Sequence, residues 1–375
     1  MKILLLAGEE SGVLYAEKIH AEVLKRRPDA EVRGYGDYGF RVADLAVMGV
    51  GQVLKKIFYF LRVKRTMERA IVEWRPDVVC TVDYPGMNLK LAAYAKACGV
   101  RTVHVVCPQV WAWKRGRIPK IEASLDKLCC FFPFEPKLFK PGFAEFVGHP
   151  LVDEMQDLAA KGHKEGAERV LAILPGSRLG EIEKHMPVLL DVINNLCASS
   201  VPLCGKIKIV IPAANERAYQ RIVEILDFGA ARIPRPTVVV TRGGARIALR
   251  DADAAVVASG TATLEAALAG CPTVLVYKVG WLFAFLARRF IKGVKHIGLA
   301  NIIAEKAGVP CPMPELLQEC FTSDAVLACL RPWLTDESEN AKVRQALADT
   351  VKMLKSDGAA VGRIVDFLNG KQEKW

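Results

Sequence analysis

A chain of 375 residues is long enough for two domains of ordinary size, each with its own core. Although 51% of the residues are hydrophobic, no run of eighteen apolar residues occurs, which argues against a transmembrane helix. The formal net charge of +11 asks for an anionic partner, and the absence of zinc-finger, RNP and helix-turn-helix signatures leaves nucleotide phosphate or anionic lipid ahead of nucleic acid.

Met1-Lys2 leads straight into Ile3 to Ala7, a run too short for a signal peptide and without a cleavage site, so it reads as a first strand of a cytoplasmic protein. Gly8-Glu9-Glu10-Ser11-Gly12 is the loop after it, and Leu14 to Arg26 has the spacing of an amphipathic helix. A second strand follows Pro28. Gly34-Tyr35-Gly36-Asp37-Tyr38-Gly39 spells G-x-G-x-x-G, but it follows the second strand, and the region where a dinucleotide fold wants an acid is the basic Leu54-Lys55-Lys56. The glycines therefore read as a turn. Leu54 to Arg65 alternates aromatics with cations and no acid interrupts it. It reads either as a surface helix packing Ile57, Phe60 and Leu61 inward or as an interfacial helix on an anionic membrane.

Pro76 to Val82 is a buried strand ending in Asp83-Tyr84-Pro85-Gly86-Met87-Asn88. Ligands of open parallel sheets bind at the carboxyl ends of strands, so Asp83 stands where a general base would stand, unless it only caps the helix Leu89 to Cys98. Val100 to Val106 is the next strand. Trp111 and Trp113 follow in a loop at the same edge, as a sugar-stacking wall or as core. Leu125 to Phe132 and Glu145 to Val147 complete this half, and the polar stretch from about Gln156 to Glu168 is the linker candidate.

Val170 to Leu174 restarts the strands and runs into Pro175-Gly176-Ser177-Arg178, then a helix carrying Glu181 and His185. The same device recurs at Ala254 to Ala258, where the strand ends in Ser259-Gly260-Thr261 and Leu264, Ala267 and Leu268 resume at helical spacing. The unpaired N–H groups and positive dipole end of such helix starts suit a phosphate. Arg178 adds a guanidinium fork, and Glu265, one turn in, suits ribose hydroxyls. Lys206 to Ile211, Thr237 to Val240 and Thr273 to Tyr277 are further strands, each separated by a helix-length segment, so the second half is also a parallel α/β sheet. Asp251-Ala252-Asp253 is a D-x-D, but it precedes a strand instead of ending one, which disfavours a metal. Trp281 to Lys295 is a second basic-aromatic stretch, Pro314 to Gln318 reads as the start of a helix, and Asn340 to Leu368 as a helix pair. The eleven cysteines contain no C-x-x-C and lie mostly in apolar runs, as Cys80, Cys129 and Cys130 do, so they read as reduced and buried.

Taken in order, Ala7 to Gly12, Asp83-x-Pro85-x-x-Asn88, Val110 to Lys114 with Arg117, Pro133-Phe134-Glu135, Val147 to Pro150, Leu174 to Arg178, Ala258 to Glu265, Asn301 and Pro314 to Gln318 resemble the bacterial lipid-A-disaccharide synthase family over nearly the whole chain. The resemblance implies a GT-B fold, with two Rossmann-like parallel-sheet domains facing a cleft. An acceptor and lipid-side domain would span 1–165, a UDP-sugar-binding domain 166–340, and C-terminal helices over 341–375 would pack back on the N-terminal domain. It implies inverting transfer of 2,3-diacylglucosamine from UDP to 2,3-diacylglucosamine 1-phosphate, giving the β-1,6-linked disaccharide 1-phosphate and UDP, with no metal and no cofactor.

Carried over by motif, Asp83 would be the base. Glu9, Ser11, Gly12, Asn88 and Trp111 would line the substrate, with Asn301 near the sugar between the domains. Gly176, Ser177, Arg178, Ser259, Gly260 and Thr261 would hold the pyrophosphate and Glu265 the ribose. The two basic-aromatic stretches would meet the cytoplasmic face of the inner membrane, as in a peripheral protein, or form homodimer contacts. The chain departs from the family pattern at Val13, where an acid is usual, and at Glu305-Lys306, where Gly-Arg or Gly-Lys is usual. Other readings are a different GT-B UDP-sugar transferase or epimerase, a non-catalytic UDP-sugar-binding homologue, and, least supported, a dinucleotide oxidoreductase.

Overall fold

The computed structural model describes the chain except residues 9, 35–49, 157–167, 199–206, 230–237, 281–294 and 371–375, and leaves out the side chains of 10, 11, 50–59, 197, 198, 228 and 229 as well. Glu9, most of the G-x-G-x-x-G segment, the linker candidate, and Trp281 to Lys295 except its last residue thus lie outside the described residues. So do the side chains of Ser11 and Ile57. The chain divides into two compact units, one of Met1–Asp153 with Leu354–Trp375, the other of Glu154–Met353.

The first unit runs β1 (Lys2–Ala7), α1 (Glu10–Arg26), β2 (Glu31–Gly34), α2 (Val50–Trp74), β3 (Val78–Val82), α3 (Pro85–Ala97), β4 (Arg101–Val105), α4 (Ile118–Ser124), β5 (Lys127–Cys130), β6 (Ala144–Phe146) and α5 (Pro150–Glu154). Its six strands lie in the order β2-β1-β3-β4-β5-β6, every pair parallel. A parallel sheet covered on both faces needs strands that are apolar throughout, and Val78–Val82 is buried at every position. Leu4, Leu6, Val79, Met67, Ile71 and Leu91 pack one face under α2 and α3; Ile3, Leu5, Val103, Val105 and α1 pack the other. Phe60 of α2 packs inward, but Leu61 is 46% exposed, so the expected inward trio is not all inward.

The second unit runs β7 (Arg169–Leu174), α6 (Leu179–Ala198), β8 (Ile207–Ala213), α7 (Glu216–Gly229), β9 (Val238–Arg242), α8 (Ala245–Asp251), β10 (Ala254–Ala258), α9 (Thr261–Leu268), β11 (Thr273–Tyr277), α10 (Leu299–Ala307), β12 (Glu315–Leu317), α11 (Ser323–Thr335) and α12 (Glu337–Lys352). The strand order is β12-β11-β10-β7-β8-β9, again all parallel. Read from the other edge, this is the doubly wound order of dinucleotide-binding sheets, with its reversal between β7 and β10.

Pro314 to Gln318 does not begin a helix. Glu315–Leu317 is a parallel edge strand on β11, and Gln318 turns the chain with φ 53. Three residues are too few to carry a period, and backbone pairing such as Leu275 N to Pro314 O at 2.9 Å decided the state.

The last helix, α13 (Ala360–Leu368), belongs to the first unit and packs Ile364, Val365, Phe367 and Leu368 beside α1, whereas α12 packs against α9 and α10 in the second. The Val147 to Pro150 motif receives the returning chain. His149 N donates to Leu354 O at 3.2 Å, Ser356 Oγ to Val147 O at 2.7 Å, and Ala360 N to Asp153 Oδ2 at 2.8 Å. A Cβ on Gly148, at φ 87, would lie 2.5 Å from Ser356 Oγ, so only glycine fits this close approach.

Candidate active site

Each sheet has one switch point, where the strand order reverses and adjacent loops part to leave a crevice. In the first unit it lies between β1 and β3, and the first turn of α1, which carries Gly12, and the turn carrying Asp83 occupy it. Asp83 and Tyr84 both adopt left-handed backbone, φ 52 and 47, a conformation costing about 1–3 kcal/mol each in non-glycine residues. Three hydrogen bonds hold it: Asp83 N donates to Val105 O at 2.9 Å, and Asn88 Nδ2 donates to Val82 O at 3.1 Å and to Asp83 O at 2.8 Å. Asn88 is buried, so within this unit it braces the turn. Asp83 Oδ1 accepts from Tyr84 N at 2.8 Å, and the side chain is half-buried. A Cβ on Gly12 would meet Val82 O at 3.2 Å and Asp83 Cβ at 3.5 Å, so the glycine lets the start of α1 lie against this turn.

Asp83 opens into a pocket of about 330 Å³ that Gln109, Trp113, Arg117, Phe132 and Glu135 also line. Of the two tryptophans, Trp113 forms the pocket wall, 44% exposed, with the Lys114 ammonium 4.6 Å from its ring. Trp111 is buried behind it and donates its indole N–H to Glu135 Oε1 at 3.1 Å; Phe132 N donates to Glu135 Oε2 at 3.1 Å. Glu135 is 2% exposed, and burial pushes its carboxyl up to about 8 despite those two donors. It therefore carries a proton at neutral pH. Sequence reading quoted Glu135 only within a motif; an acid set between Phe134 and Pro136 after an apolar strand was the available signal.

In the second unit the switch point lies between β7 and β10, which brings the Pro175–Arg178 turn and the Ser259–Thr261 turn to one edge. Ser177 N and Arg178 N both face Glu181 Oε2, at 3.3 and 3.4 Å, so an anion already sits before these N–H groups. Gly176 packs against the same carboxylate. The Arg178 guanidinium is 77% exposed and 3.3 Å from Glu181 Oε1. Gly260 and Thr261 are exposed at the start of α9, Ser259 is half-buried, and Thr263 Oγ1 donates to Gly260 O at 2.8 Å. Glu265 is tied to Arg246 Nε at 2.8 Å, and Arg246 reaches Glu154 at 3.0 Å.

Asn301 is fully buried. Its Nδ2 donates to Met313 O at 2.7 Å and Glu315 Oε1 at 2.8 Å, and its Oδ1 accepts from Met313 N at 3.0 Å, so its amide fastens α10 to the segment entering β12. Asp253, from the D-x-D, is likewise internal: it accepts from Val170 N at 2.8 Å and pairs with Arg169 at 3.4 Å.

His185, on α6, is a residue sequence reading did not single out for the site. Its Nδ1 lies 2.7 Å from Pro175 O, and its Nε2 accepts from Lys278 N at 3.0 Å. The two partners assign the proton to Nδ1, and burial lowers the imidazole's affinity for a second one. The ring ties the turn after β7 to the end of β11.

Two parallel α/β units, each with polar turns at its switch point, define a GT-B fold. Solved structures of this architecture align along the whole chain. They include the glycosyltransferase of kitacinnamycin, with a TM-score of 0.62, 14% identity and 98% of each chain covered. A second is the UDP-GlcNAc 2-epimerase of Neisseria meningitidis bound to UDP-GlcNAc, with a TM-score of 0.59, 11% identity, and 99% of this chain and 100% of that one covered. At such identities the likeness speaks for the fold.

The family is given by sequence. The model of the lipid-A-disaccharide synthetase family matches residues 3–360. The lipid-A-disaccharide synthase of Syntrophus aciditrophicus is 33% identical over 376 residues, covering 96% of this chain and 94% of that protein. The chain belongs to the lipid-A-disaccharide synthase family, and it is a glycosyltransferase of lipid A biosynthesis.

Proposed function

We propose that the chain transfers 2,3-diacylglucosamine from UDP to 2,3-diacylglucosamine 1-phosphate with inversion, and that Asp83 is the general base. The position of Asp83 carries this reading: its carboxylate stands at a switch point, on a strained and braced turn, in a pocket with an arginine and an exposed tryptophan. In the step proposed, Asp83 takes the proton of the acceptor 6-hydroxyl as that oxygen attacks the anomeric carbon from the face opposite UDP. The bond from the anomeric carbon to the UDP oxygen breaks, and UDP leaves with the electron pair. Arg178, the N–H groups of Ser177 and Thr261, and the positive end of α6 stabilise that charge, with Glu181 giving way to the phosphate. Arg117 is the cation in the Asp83 pocket for the acceptor phosphate, and Trp113 is the surface for its sugar. Glu9, Ser11 and Gly12 line the acceptor. Asn88 and Trp111 act through the turn and the wall they hold, and Asn301 and Glu265 through the donor-side scaffold.

The same reading places the enzyme at the cytoplasmic face of an anionic inner membrane as a peripheral protein. No described helix is long and apolar enough to cross a bilayer. On α2, Leu61 is exposed beside the exposed Arg62 and Arg65, a composition suited to the headgroup layer.

The test is UDP release in detergent from UDP-2,3-diacylglucosamine, with and without 2,3-diacylglucosamine 1-phosphate. Release that requires both substrates, and that falls about 10²–10⁴-fold in Asp83→Asn with UDP binding unchanged, supports the assignment. Acceptor-dependent release that survives the substitution removes Asp83 as base. UDP binding with no release in the wild type removes the reaction.

A further inference from the structure

Cys311, His296 and Glu315 form a cluster in the second unit that the transfer reaction does not use. Cys311 Sγ lies 3.3 Å from His296 Nε2, and His296 Nδ1 lies 3.5 Å from Glu315 Oε1. The carboxylate is buried and held fast: its Oε1 accepts from Gly298 N at 3.0 Å and Asn301 Nδ2 at 2.8 Å, and its Oε2 from Ile297 N at 3.0 Å. The negative carboxylate 3.5 Å from Nδ1 favours the tautomer with its hydrogen there, and in that tautomer the Nε2 lone pair faces the thiol. The thiol itself is exposed. A nucleophile, a base in hydrogen-bond reach of it and a third group orienting the base are the three parts of an activated nucleophile.

We propose that Cys311 is a covalent modification site, a thiol that His296 activates for exchange with low-molecular-weight disulfides. Partial burial and the carboxylates of Glu315 and Glu305 raise the affinity of this thiol for its proton, so the resting group is a thiol and not a stored thiolate. The imidazole therefore acts during attack. As Cys311 Sγ bonds to one sulfur of RS–SR, its proton passes to His296 Nε2, the RS–SR bond breaks, and the departing RS⁻ takes the proton from His296 to leave as RSH. Cys311 is oxidised to Cys311–S–SR and half of the disulfide is reduced. Cys98 and Cys320 are exposed as well, and neither has a described imidazole in hydrogen-bond reach, so they are internal standards. Cys311 Sγ is also 3.6 Å from Asn301 O, a second acceptor for its S–H, which puts the added group beside α10 on the segment that the Asn301 amide fastens.

The experiment treats the full-length protein with excess bis(2-hydroxyethyl) disulfide near pH 7 and follows each cysteine by peptide mass. Cys311 is expected to react at least about tenfold faster than Cys98 and Cys320, and His296→Asn to bring it down to their rate at an unchanged melting temperature. Equal rates at the three cysteines in the wild type would overturn the proposal without any variant, as would a Cys311 rate that His296→Asn or His296→Gln leaves unchanged. The readout is labelling and not sugar transfer, so its result is independent of the role of Asp83.

Discussion

At the scale of single residues, burial and partners decide what each acid or imidazole does. Asp83 and Glu135 line one pocket, yet Glu135 is sealed among Trp111, Phe132 and Cys107. Its carboxyl, pushed up to about 8, keeps its proton in the folded protein where an unfolded chain would release it near the ordinary 4.5. The sign follows from linkage. Between those two values the unfolded state binds fewer protons, so the stability Glu135 contributes is full below about 4.5, declines as pH rises, and is gone above about 8. Denaturant midpoints measured at pH 5 and pH 8 should therefore fall further in the wild type than in Glu135→Gln. Equal falls would show that Glu135 is ionised in the native state. Asp83 was legible in the sequence because a strand followed by Asp-x-Pro-x-x-Asn places it. Glu135 and His185 were not, since their partners lie up to 24 and 93 residues away.

At the scale of elements, strands and helices that repeat a period over several turns were readable, and the short ones were not. β12 is three residues long and depends on β11 and on the Asn301 amide for its place. Asn301→Ala removes the partner of Met313 N and of Met313 O in a buried setting, and each unsatisfied group there costs about 1–3 kcal/mol. We expect a lowered unfolding midpoint and, because Lys278, the residue after β11, pairs with His185, weaker UDP binding by the same variant. Calorimetry and UDP titration read the two effects. A variant of native stability with lost UDP binding would instead mean that Asn301 touches the donor.

At the scale of the molecule, the last helix completes the first unit. Removing residues 354–375 strips Ile364, Val365, Phe367 and Leu368 from the core beside α1, where each buried side chain is worth about 1.5–3 kcal/mol. The shortened chain should lose the unfolding transition of the first unit and keep that of the second, as limited proteolysis followed by mass analysis would show; loss of both would mean that the units do not fold separately. The charge of +11 acts at this scale too. Sedimentation with vesicles containing phosphatidylglycerol should capture the protein at low salt and release it at high salt, whereas vesicles of phosphatidylcholine alone should not, because screening weakens attraction to a charged surface. Arg62→Glu with Arg65→Glu should weaken capture by the anionic vesicles. Capture that ignores both charge and salt would remove the electrostatic account.

The sequence by itself determined the parallel sheets, the family and the carboxyl-end turns at Asp83, Arg178 and Ser259 to Thr261, because apolar strand runs and small-residue helix starts are local signals. Tertiary structure decided which of those turns share a switch point, since strand order is a matter of pairing between distant segments. It also decided that Asn88, Trp111 and Asn301 lie buried, with the Asn88 amide nitrogen, the Trp111 indole N–H and the Asn301 amide committed to neighbours, and that Gly148 receives the returning C-terminal chain. Burial and partnership are properties of packed neighbours, and no window along the chain contains them.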